Sequence, residues 1–365
     1  MQTPILQFGT SRFLQAHADL FISEALERGA AIGGITIVQT TTSAERGHRL
    51  AALAAPGGFP IHIRGKKDGA VIDAVTMVHS VKRALSANDA WDETARIFAD
   101  EAKVVLCNTA DNGYDISAEA DSFFPGVPVS FPGKLTKLLA HRFETSGQGL
   151  TILPAELIPR NGDILKSIVQ QLAERWSLPP AFRDWLDQDV IFSNTLVDRI
   201  VSEPLEPAGA IAEPYALWAI ERRDGQTLPC AHPAMVVADD ISPYEHLKLF
   251  ILNLGHTILT DGWLKSSLPR DMTVREILAD PVHRGHLVEA YYEDILPGFT
   301  RMDLGAAAEQ YIAATLERFE NPFLNHRLAD IAQNHAEKIR RRAGGFLDWS
   351  GVHSARLEGL LAAAQ

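Results

Sequence analysis

The first 200 residues alternate short apolar runs with stretches of helical spacing. The first run, residues 4–8, is followed at once by Gly9 and then by helical spacing over residues 13–29, with Gly29 or Gly33 as the helix stop. Alternation of this kind predicts a mainly parallel sheet covered by helices, with ligands at the carboxyl ends of the strands. Further strands are predicted in residues 34–43, 102–109, 149–158 and within 189–201, and further helices in residues 89–102 and 133–146.

The pattern changes after Pro243, where almost every segment has helical spacing. The predicted fold class is therefore α/β, with a Rossmann-like domain over residues 1–240 followed by a mostly α-helical domain over residues 241–365. The junction is expected between Val201 and Ser242, where SEPLEPAGAIAEP is rich in proline and the later AMVVADD forms a last strand.

The composition of this globular chain excludes some classes of binding partner. The 365 residues contain 46% hydrophobic residues, enough for a packed core and two domains. A formal net charge of -12 provides no basic field for a phosphate backbone, so no nucleic acid is expected. Two cysteines make no disulfide framework, and there is no leader pattern or membrane-spanning apolar run. We expect a cytoplasmic protein without a membrane partner, and the composition does not determine an oligomeric state.

The turn after the first strand has part of a dinucleotide-binding pattern. Gly9 allows the tight turn that lets a backbone approach a pyrophosphate at a helix N-terminus, but Ser11 stands where a second glycine is usual. An ordinary tight turn without a ligand explains the same residues. The candidate cofactor-binding residues here are Gly9, Thr10, Ser11, Arg12 and Phe13.

The ends of the second and third strands complete the candidate cofactor site. The second strand ends in hydroxyls at Thr40 and Thr41 rather than in the acid that holds the ribose of NAD. The later Arg46 and Arg49 suit a 2′-phosphate, so NAD and NADP both remain open. Asn108 and Thr109 follow the third strand, where they either reach a cofactor or form a plain turn.

A nearly all-apolar segment, KLFILNLGH at residues 248–256, carries an amine, an amide and an imidazole. A helix apolar on most faces is usually buried, and buried polar groups are costly without partners. At 100° per residue, Asn253 and His256 fall at about 140° and about 80° from Lys248, so the three share one face. Glu245 lies one turn earlier on that face and is a candidate proton relay to Lys248.

This group of side chains suits the oxidation of an alcohol. Removal of a hydride needs a base for the hydroxyl proton, and burial lowers the pKa of a lysine from about 10.4 toward the range of a general base. Asn253 and His256 would hydrogen-bond the reacting oxygen. The scheme needs no metal, and we find no zinc-like spacing of ligands, although scattered groups such as His246, His256 and Asp261 are alternatives.

The chain resembles the polyol-specific long-chain dehydrogenase/reductase family, also called the mannitol dehydrogenase family. The resemblance rests on ILQFGTSRFLQAHAD, on NTLVDRIV and on the K-x4-N-x2-H pattern of Lys248, Asn253 and His256. Within the family, LTILPAELIPRNGD and ERFENPFLNH are most similar to the members that interconvert D-altronate and D-tagaturonate.

The resemblance implies a metal-independent NAD-linked dehydrogenase that acts on a small-molecule sugar acid or polyol. Lys248 would be the general acid/base, and Lys338 would reach the substrate from the last long helix, with Arg342 as a weaker candidate. A solvated helix end explains that basic cluster equally well. Activity on mannitol, on mannitol phosphate or on fructuronate and mannonate is the alternative, as is a nucleotide-binding protein without turnover. The candidate substrate-binding residues are Glu156, Asp198, Glu245, Lys338 and Arg342, and Asp198 beside Arg199 also fits a structural ion pair.

Overall fold

The computed structural model describes residues 2–41, 47–109, 113–116, 126–266 and 268–364. Within these stretches, no helix combines the length and hydropathy that a membrane crossing requires. The strands are β1 (Ile5–Phe8), β2 (Ile35–Gln39), β3 (Phe59–Lys67), β4 (Ala70–Val78), β5 (Val81–Ser86), β6 (Val104–Cys107), β7 (Leu150–Pro154), β8 (Val190–Phe192), β9 (Thr195–Asp198), β10 (Val201–Pro204), β11 (Ala210–Ala212), β12 (Leu217–Glu221) and β13 (Met235–Ala238).

The α-helices are interrupted at several places by π-helical turns. These turns are Gln15–Asp19, Lys248–Asn253, Ala290–Ile295 and Arg340–Gly344. The helices are α1 (Arg12–Leu14), α2 (Leu20–Glu27), α3 (Gly47–Leu53), α4 (Trp91–Asp100), α5 (Phe131–Thr145), α6 (Asn161–Arg175), α7 (Pro180–Gln188), α8 (Ser242–Leu247), α9 (Leu254–Lys265), α10 (Val274–Ala279), α11 (Pro281–Glu289), α12 (Leu296–Arg301), α13 (Gly305–Phe319), α14 (Leu328–Ile331), α15 (His335–Ile339), α16 (Gly345–Ser350) and α17 (Ala355–Ala362).

A six-stranded parallel sheet forms the centre of the N-terminal part. Its order is β5-β2-β1-β6-β7-β8, and every registered pair is parallel. The chain builds outward from β1 on one side and then continues from β6 on the other, so the strand order reverses between β1 and β6. Such a reversal opens a crevice at the carboxyl ends of the two strands. The predicted α/β class with a Rossmann-like sheet is confirmed.

Several strands were not predicted from the sequence. The hairpin strands β3 and β4 belong to a four-stranded sheet of order β10-β11-β3-β4, and β9, β12 and β13 form a three-stranded sheet. Most positions of β3 are half-exposed and only Val78 of β4 is buried, so neither strand has the continuous apolar run of a strand buried on both faces. The proline-rich segment SEPLEPAGAIAEP, predicted as a junction, contains the antiparallel pair of β10 and β11.

The chain forms two compact units. The first contains residues 1–62, 75–212 and 216–241, and the second contains residues 63–74, 213–215 and 242–365. The expected division at residues 240 and 241 did not anticipate the two short segments that join the second unit. Their membership depends on tertiary contacts, which hydrophobic periodicity does not describe.

Hydrogen bonds from α13 and the residues after it hold segment 63–74 in the second unit. The Glu317 carboxylate accepts the main-chain N–H groups of Asp68 and Gly69 at 3.1 and 2.7 Å. Lys66 pairs with Glu320 at 2.8 Å, and the Asn321 amide donates to the Arg64 carbonyl at 3.1 Å. The tip of the β3-β4 hairpin is therefore part of the helical unit.

A buried ion pair holds segment 213–215 in the same unit. The Arg318 guanidinium donates to both carboxylate oxygens of Glu213, at 2.8 and 3.0 Å, and the two side chains are 3% and 1% exposed. The guanidinium also lies 4.3 Å from the centre of the Tyr215 ring and donates to the Tyr311 hydroxyl at 3.3 Å. Because both side chains are shielded from water, each buried charge is stabilised mainly by the opposite charge of its partner.

Glu213→Gln should destabilise the second unit by about 3–5 kcal/mol, because it leaves the Arg318 guanidinium buried without a countercharge. Urea unfolding followed by circular dichroism measures the change. Asp239→Asn is the matched control, since the Arg222–Asp239 pair is largely exposed at 57% and 89%, and it should cost less than about 1 kcal/mol. Equal losses in both variants would contradict the role given to the buried pair.

Candidate active site

Gly9 shapes the turn between β1 and the first helical segment. Its φ of 115° lies in the region that favours glycine, and its N–H donates to the Val38 carbonyl at 3.0 Å. A Cβ at this position would lie 2.6 Å from the Asn108 carbonyl oxygen. The turn therefore brings the ends of β1, β2 and β6 close together, and only glycine fits.

Ser11 takes the place of a second glycine by using its hydroxyl. It is the N-cap of α1, where its Oγ accepts the N–H of Leu14 at 3.2 Å, and it also donates to the Asn108 side-chain oxygen at 3.2 Å. Arg12 is exposed at the first position of the helix, whereas Thr10 is buried and Phe13 is half-buried. An N-terminus with an exposed cation suits an anion such as a pyrophosphate.

Asn108 and Thr109 at the end of β6 are fixed by buried partners. Asn108 donates to the Ala155 carbonyl at 2.7 Å, and both the N–H and the hydroxyl of Thr109 donate to Glu156, at 3.1 and 3.0 Å. Cys107 and Tyr114 donate to the same carboxylate. Burial raises the pKa of Glu156, which is 4% exposed. Glu156, predicted to bind substrate, thus supports the loop that carries Asn108 and Thr109.

The end of β2 offers little to a 2′-phosphate among the described residues. Thr40 is half-buried, and Thr41 is exposed with its carbonyl accepting the Gln39 amide at 2.8 Å. Arg49 pairs with Glu206 at 3.0 Å. Arg46, the other predicted phosphate ligand, lies outside the described residues. The hydroxyls of Thr40 and Thr41 suit a ribose, and the residues around Gly9 fit a dinucleotide.

Asp198 ends β9 in the first unit. It is 3% exposed, and it pairs in register with Leu217 of β12. Its neighbour Arg199 is 9% exposed and donates to the Ala16 carbonyl at 2.7 Å. Arg199 therefore ties β9 to the π-helical turn that follows the Gly9 turn.

The second unit carries Lys248 and Asn253 on a π-helical turn rather than on an ideal α-helix. The N–H of Leu254 donates to the Leu249 carbonyl, five residues earlier. Bonds of this kind wind the chain more widely than in an α-helix, so the calculation at 100° per residue, which separates Asn253 from Lys248 by about 140°, does not hold in this turn. The shared face of the trio therefore stays a prediction, since its calculated angles assume a regular α-helix. Lys248, Asn253 and Glu245 are half-buried.

His256 lies in the α-helical part that follows and is packed between two rings. It is 6% exposed, with the Phe319 ring centre at 4.4 Å and the His326 ring centre at 4.9 Å. Burial lowers the pKa of His326, the Asp330 carboxylate opposes this, and the Lys338 cation adds to it. His326 is held by its carbonyl, which accepts the N–H of Val274 at 2.9 Å.

His326 is the residue of this cluster that sequence reasoning missed. It ends ERFENPFLNH, a stretch noted only for its resemblance, and it is 70 positions from His256 in the sequence. A lone histidine after asparagine has no periodicity that would assign it to a site. The tertiary fold alone brings the two imidazoles together.

Lys338 and Arg342 lie on the segment that packs against α9. The Lys338 amine donates to the Ile331 carbonyl at 2.8 Å, and its pKa is lowered by burial and then by the Arg342 cation. Arg342 donates to the Asn253 carbonyl and to the Thr257 hydroxyl. Burial lowers the Arg342 pKa to about 10, so it remains a cation at neutral pH. Two cations thus lie close to the trio.

No group of three or more metal-ligating side chains is arranged to hold a metal ion in the described part of the chain. The scattered groups His246, His256 and Asp261 form no such group there. The Asp261 carboxylate instead pairs with Lys265 at 2.7 Å and lies 3.7 Å from His335.

Two family profiles and several named proteins match the chain. The profile of the mannitol dehydrogenase Rossmann domain matches residues 3–229, and that of the mannitol dehydrogenase C-terminal domain matches residues 240–347. An altronate oxidoreductase of Halalkalibacterium halodurans is 32% identical over 360 residues, which cover 93% of this chain and 69% of that protein. An altronate oxidoreductase of Escherichia coli O7:K1 is 33% identical over 365 residues, which cover 93% of this chain and 73% of that protein.

Two solved structures have the same fold. A D-sorbitol dehydrogenase in substrate-free form aligns with a TM-score of 0.80 at 18% identity, covering 95% of this chain and 76% of the other. The Pseudomonas fluorescens mannitol 2-dehydrogenase ternary complex with NAD and D-mannitol aligns with a TM-score of 0.73 at 19% identity, covering 100% of this chain and 79% of the other.

We expect His326 to remain neutral in the folded protein at pH values where an unfolded chain takes up a proton. Because the folded pKa is lowered, stability should be lost as pH falls through the ordinary histidine value of about 6.5. His326→Gln should remove this loss, as measured by the free energy of urea unfolding between about pH 7 and about pH 5. His353→Gln, at a fully exposed position, is the control. The same acid loss in wild type and His326→Gln would contradict the assignment.

Proposed function

The chain belongs to the mannitol dehydrogenase family, and on that premise we propose that it interconverts D-altronate and D-tagaturonate with NAD as cofactor and Lys248 as general acid/base. The broader activity is that of an NAD-dependent oxidoreductase acting on a CH–OH group of a sugar acid or polyol. The named substrate is supported by the altronate oxidoreductases at 32% and 33% identity.

The carrying observation is the helix from Lys248 to His256. It carries an amine, an amide and an imidazole in an otherwise apolar segment, and the spacing of these groups favours one shared face. The cationic Lys338 lies close enough to His326 to affect its titration, and His326 contacts His256. A carboxylate substrate needs such a cation, whereas a neutral polyol does not.

The chain's own residues divide the remaining work. In the first unit, Gly9, Ser11, Arg12 and Asn108 would hold the pyrophosphate end of the dinucleotide, and Thr40 and Thr41 the ribose. When bound, the nicotinamide accepts or donates the hydride. Lys248 takes the hydroxyl proton during oxidation and returns it during reduction, and Glu245, one turn earlier, can pass that proton on. Asn253 and His256 donate hydrogen bonds to the reacting oxygen.

The substrate assignment is tested by initial rates at the reduced-nicotinamide absorbance band. D-tagaturonate, D-fructuronate, D-fructose and D-fructose 6-phosphate are each offered with NADH or NADPH. We expect the highest kcat/KM for D-tagaturonate with NADH. Turnover of fructose or its phosphate, with none on either uronate, would overturn the sugar-acid assignment in favour of a mannitol or mannitol-phosphate dehydrogenase. A preference for fructuronate would instead favour a mannonate dehydrogenase.

The general acid/base assignment is tested separately. Lys248→Ala should lower kcat by about 10²- to 10⁴-fold, the usual contribution of a positioned acid or base, while NADH binding measured by fluorescence changes little. Lys265→Ala, at a 58% exposed position further along the same helix, should keep its rate. If the wild type binds NADH but turns over none of the four substrates, the chain is instead a nucleotide-binding protein without activity.

A further inference from the structure

Three π-helical turns meet at the main-chain carbonyls that precede His256. The Tyr291 hydroxyl, from the turn Ala290–Ile295, donates to the Ile251 carbonyl at 3.0 Å. Arg342, from the turn Arg340–Gly344, donates to the Asn253 carbonyl at 2.9 Å. Both acceptors lie in the third turn, Lys248–Asn253. Donors from other helices therefore fix the carbonyls of the turn that carries the general acid/base.

Gly255 makes the first of these contacts possible. A Cβ at that position would lie 1.9 Å from the Tyr291 hydroxyl. The glycine in the KLFILNLGH segment is thus required because the tyrosine reaches over the helix to Ile251. Glycine weakens a helix, and the close approach of the Tyr291 hydroxyl explains why Gly255 is nevertheless present.

Arg342, Asn253 and Thr257 are joined by three mutual hydrogen bonds. A single guanidinium nitrogen, Nη1, donates to the Asn253 carbonyl and, at 2.8 Å, to the Thr257 hydroxyl. Thr257 is fully buried, and its hydroxyl in turn donates to the Asn253 carbonyl at 3.1 Å. Removal of Arg342 would therefore leave a buried carbonyl and a buried hydroxyl without their charged donor.

Asn253 is the last residue of the π-helical turn, and α9 begins at Leu254. The conformation at this junction sets how Lys248 and Asn253, before it, are rotated relative to His256, after it. A small change of twist there would separate the amine and the amide from the imidazole. Misplacement by about 1 Å can cost about 10²-fold in rate.

We propose that Arg342 is a positioning residue, which holds the π-to-α junction at Asn253 so that Lys248, Asn253 and His256 face one reacting centre, and that it does not bind the substrate carboxylate. The proposal rests on the proposed function of the trio. It reassigns Arg342 from the substrate contact that the sequence suggested. Lys338, whose amine donates to the Ile331 carbonyl at 2.8 Å, then remains the candidate partner of the carboxylate.

Arg342→Ala should lower kcat by about 10²-fold while KM for the substrate changes by less than about threefold. Arg342→Lys, which restores one cationic donor, should recover about tenfold of the loss. Thr257→Val should lower kcat in the same direction, with less than additive loss when combined with Arg342→Ala. Arg341→Ala, an exposed neighbour on the same turn, is the matched control and should leave both constants unchanged.

A second readout does not depend on turnover. Hydrogen exchange measured by mass spectrometry should be faster in peptides covering residues 248–260 in Arg342→Ala, and unchanged in Arg341→Ala. The pH profile of kcat should also shift in Arg342→Ala, because the environment of Lys248 changes. These two changes distinguish a positioned junction from a general loss of stability.

The proposal is overturned if Arg342→Ala mainly raises KM for sugar acids with kcat preserved, since Arg342 would then bind the carboxylate. Unchanged kcat together with unchanged hydrogen exchange would also overturn it. Failure of the wild type on D-tagaturonate would sink the named substrate instead. In that case the comparison of Arg342 variants proceeds with whichever ketose the wild type reduces, and the exchange experiment needs no substrate.

Discussion

An apolar helix that must carry an amine, an amide and an imidazole sets the main constraint on the second unit. Burying polar atoms is costly unless each has a partner. Hydrogen bonds to the main chain offset part of this cost. The Tyr291 hydroxyl donates to the Ile251 carbonyl, and Arg342 donates to the Asn253 carbonyl. The π-helical turn of Lys248–Asn253 exposes those carbonyls to donors from neighbouring helices. The chemistry proposed for this helix therefore depends on residues that hold its main-chain carbonyls.

In the first unit, the constraint is that the turn after β1 must pass close to the end of β6. Gly9 lets the β1 turn approach the Asn108 carbonyl, and the Ser11 hydroxyl links that turn to the Asn108 side chain. Buried Glu156 then anchors Thr109. The degenerate glycine pattern is thus compensated by hydrogen bonds rather than by a second glycine.

Periodicity predicted the elements that are buried on both faces or that form long amphipathic helices. β1, β2, β6 and β7 all lie within the predicted runs, because strands covered on both sides read as continuous apolar segments. The hairpin strands β3 and β4 were missed because their outer positions are partly exposed. In the half that was predicted to be helical, α14 and α15 are separated near Asn334, whose φ of 54° no periodic pattern signals.

By itself the sequence determined the alternating α/β order, the helical second half and the presence of Lys248, Asn253 and His256 on one helix, because local spacing and residue chemistry are written in consecutive positions. Only the tertiary structure decided that His326 packs edge-on against His256, that Glu156 supports a loop, and that segments 63–74 and 213–215 join the helical unit. The physical reason is that these depend on contacts between residues far apart in the chain. The burial that makes each contact strong comes from packing, which no local pattern encodes.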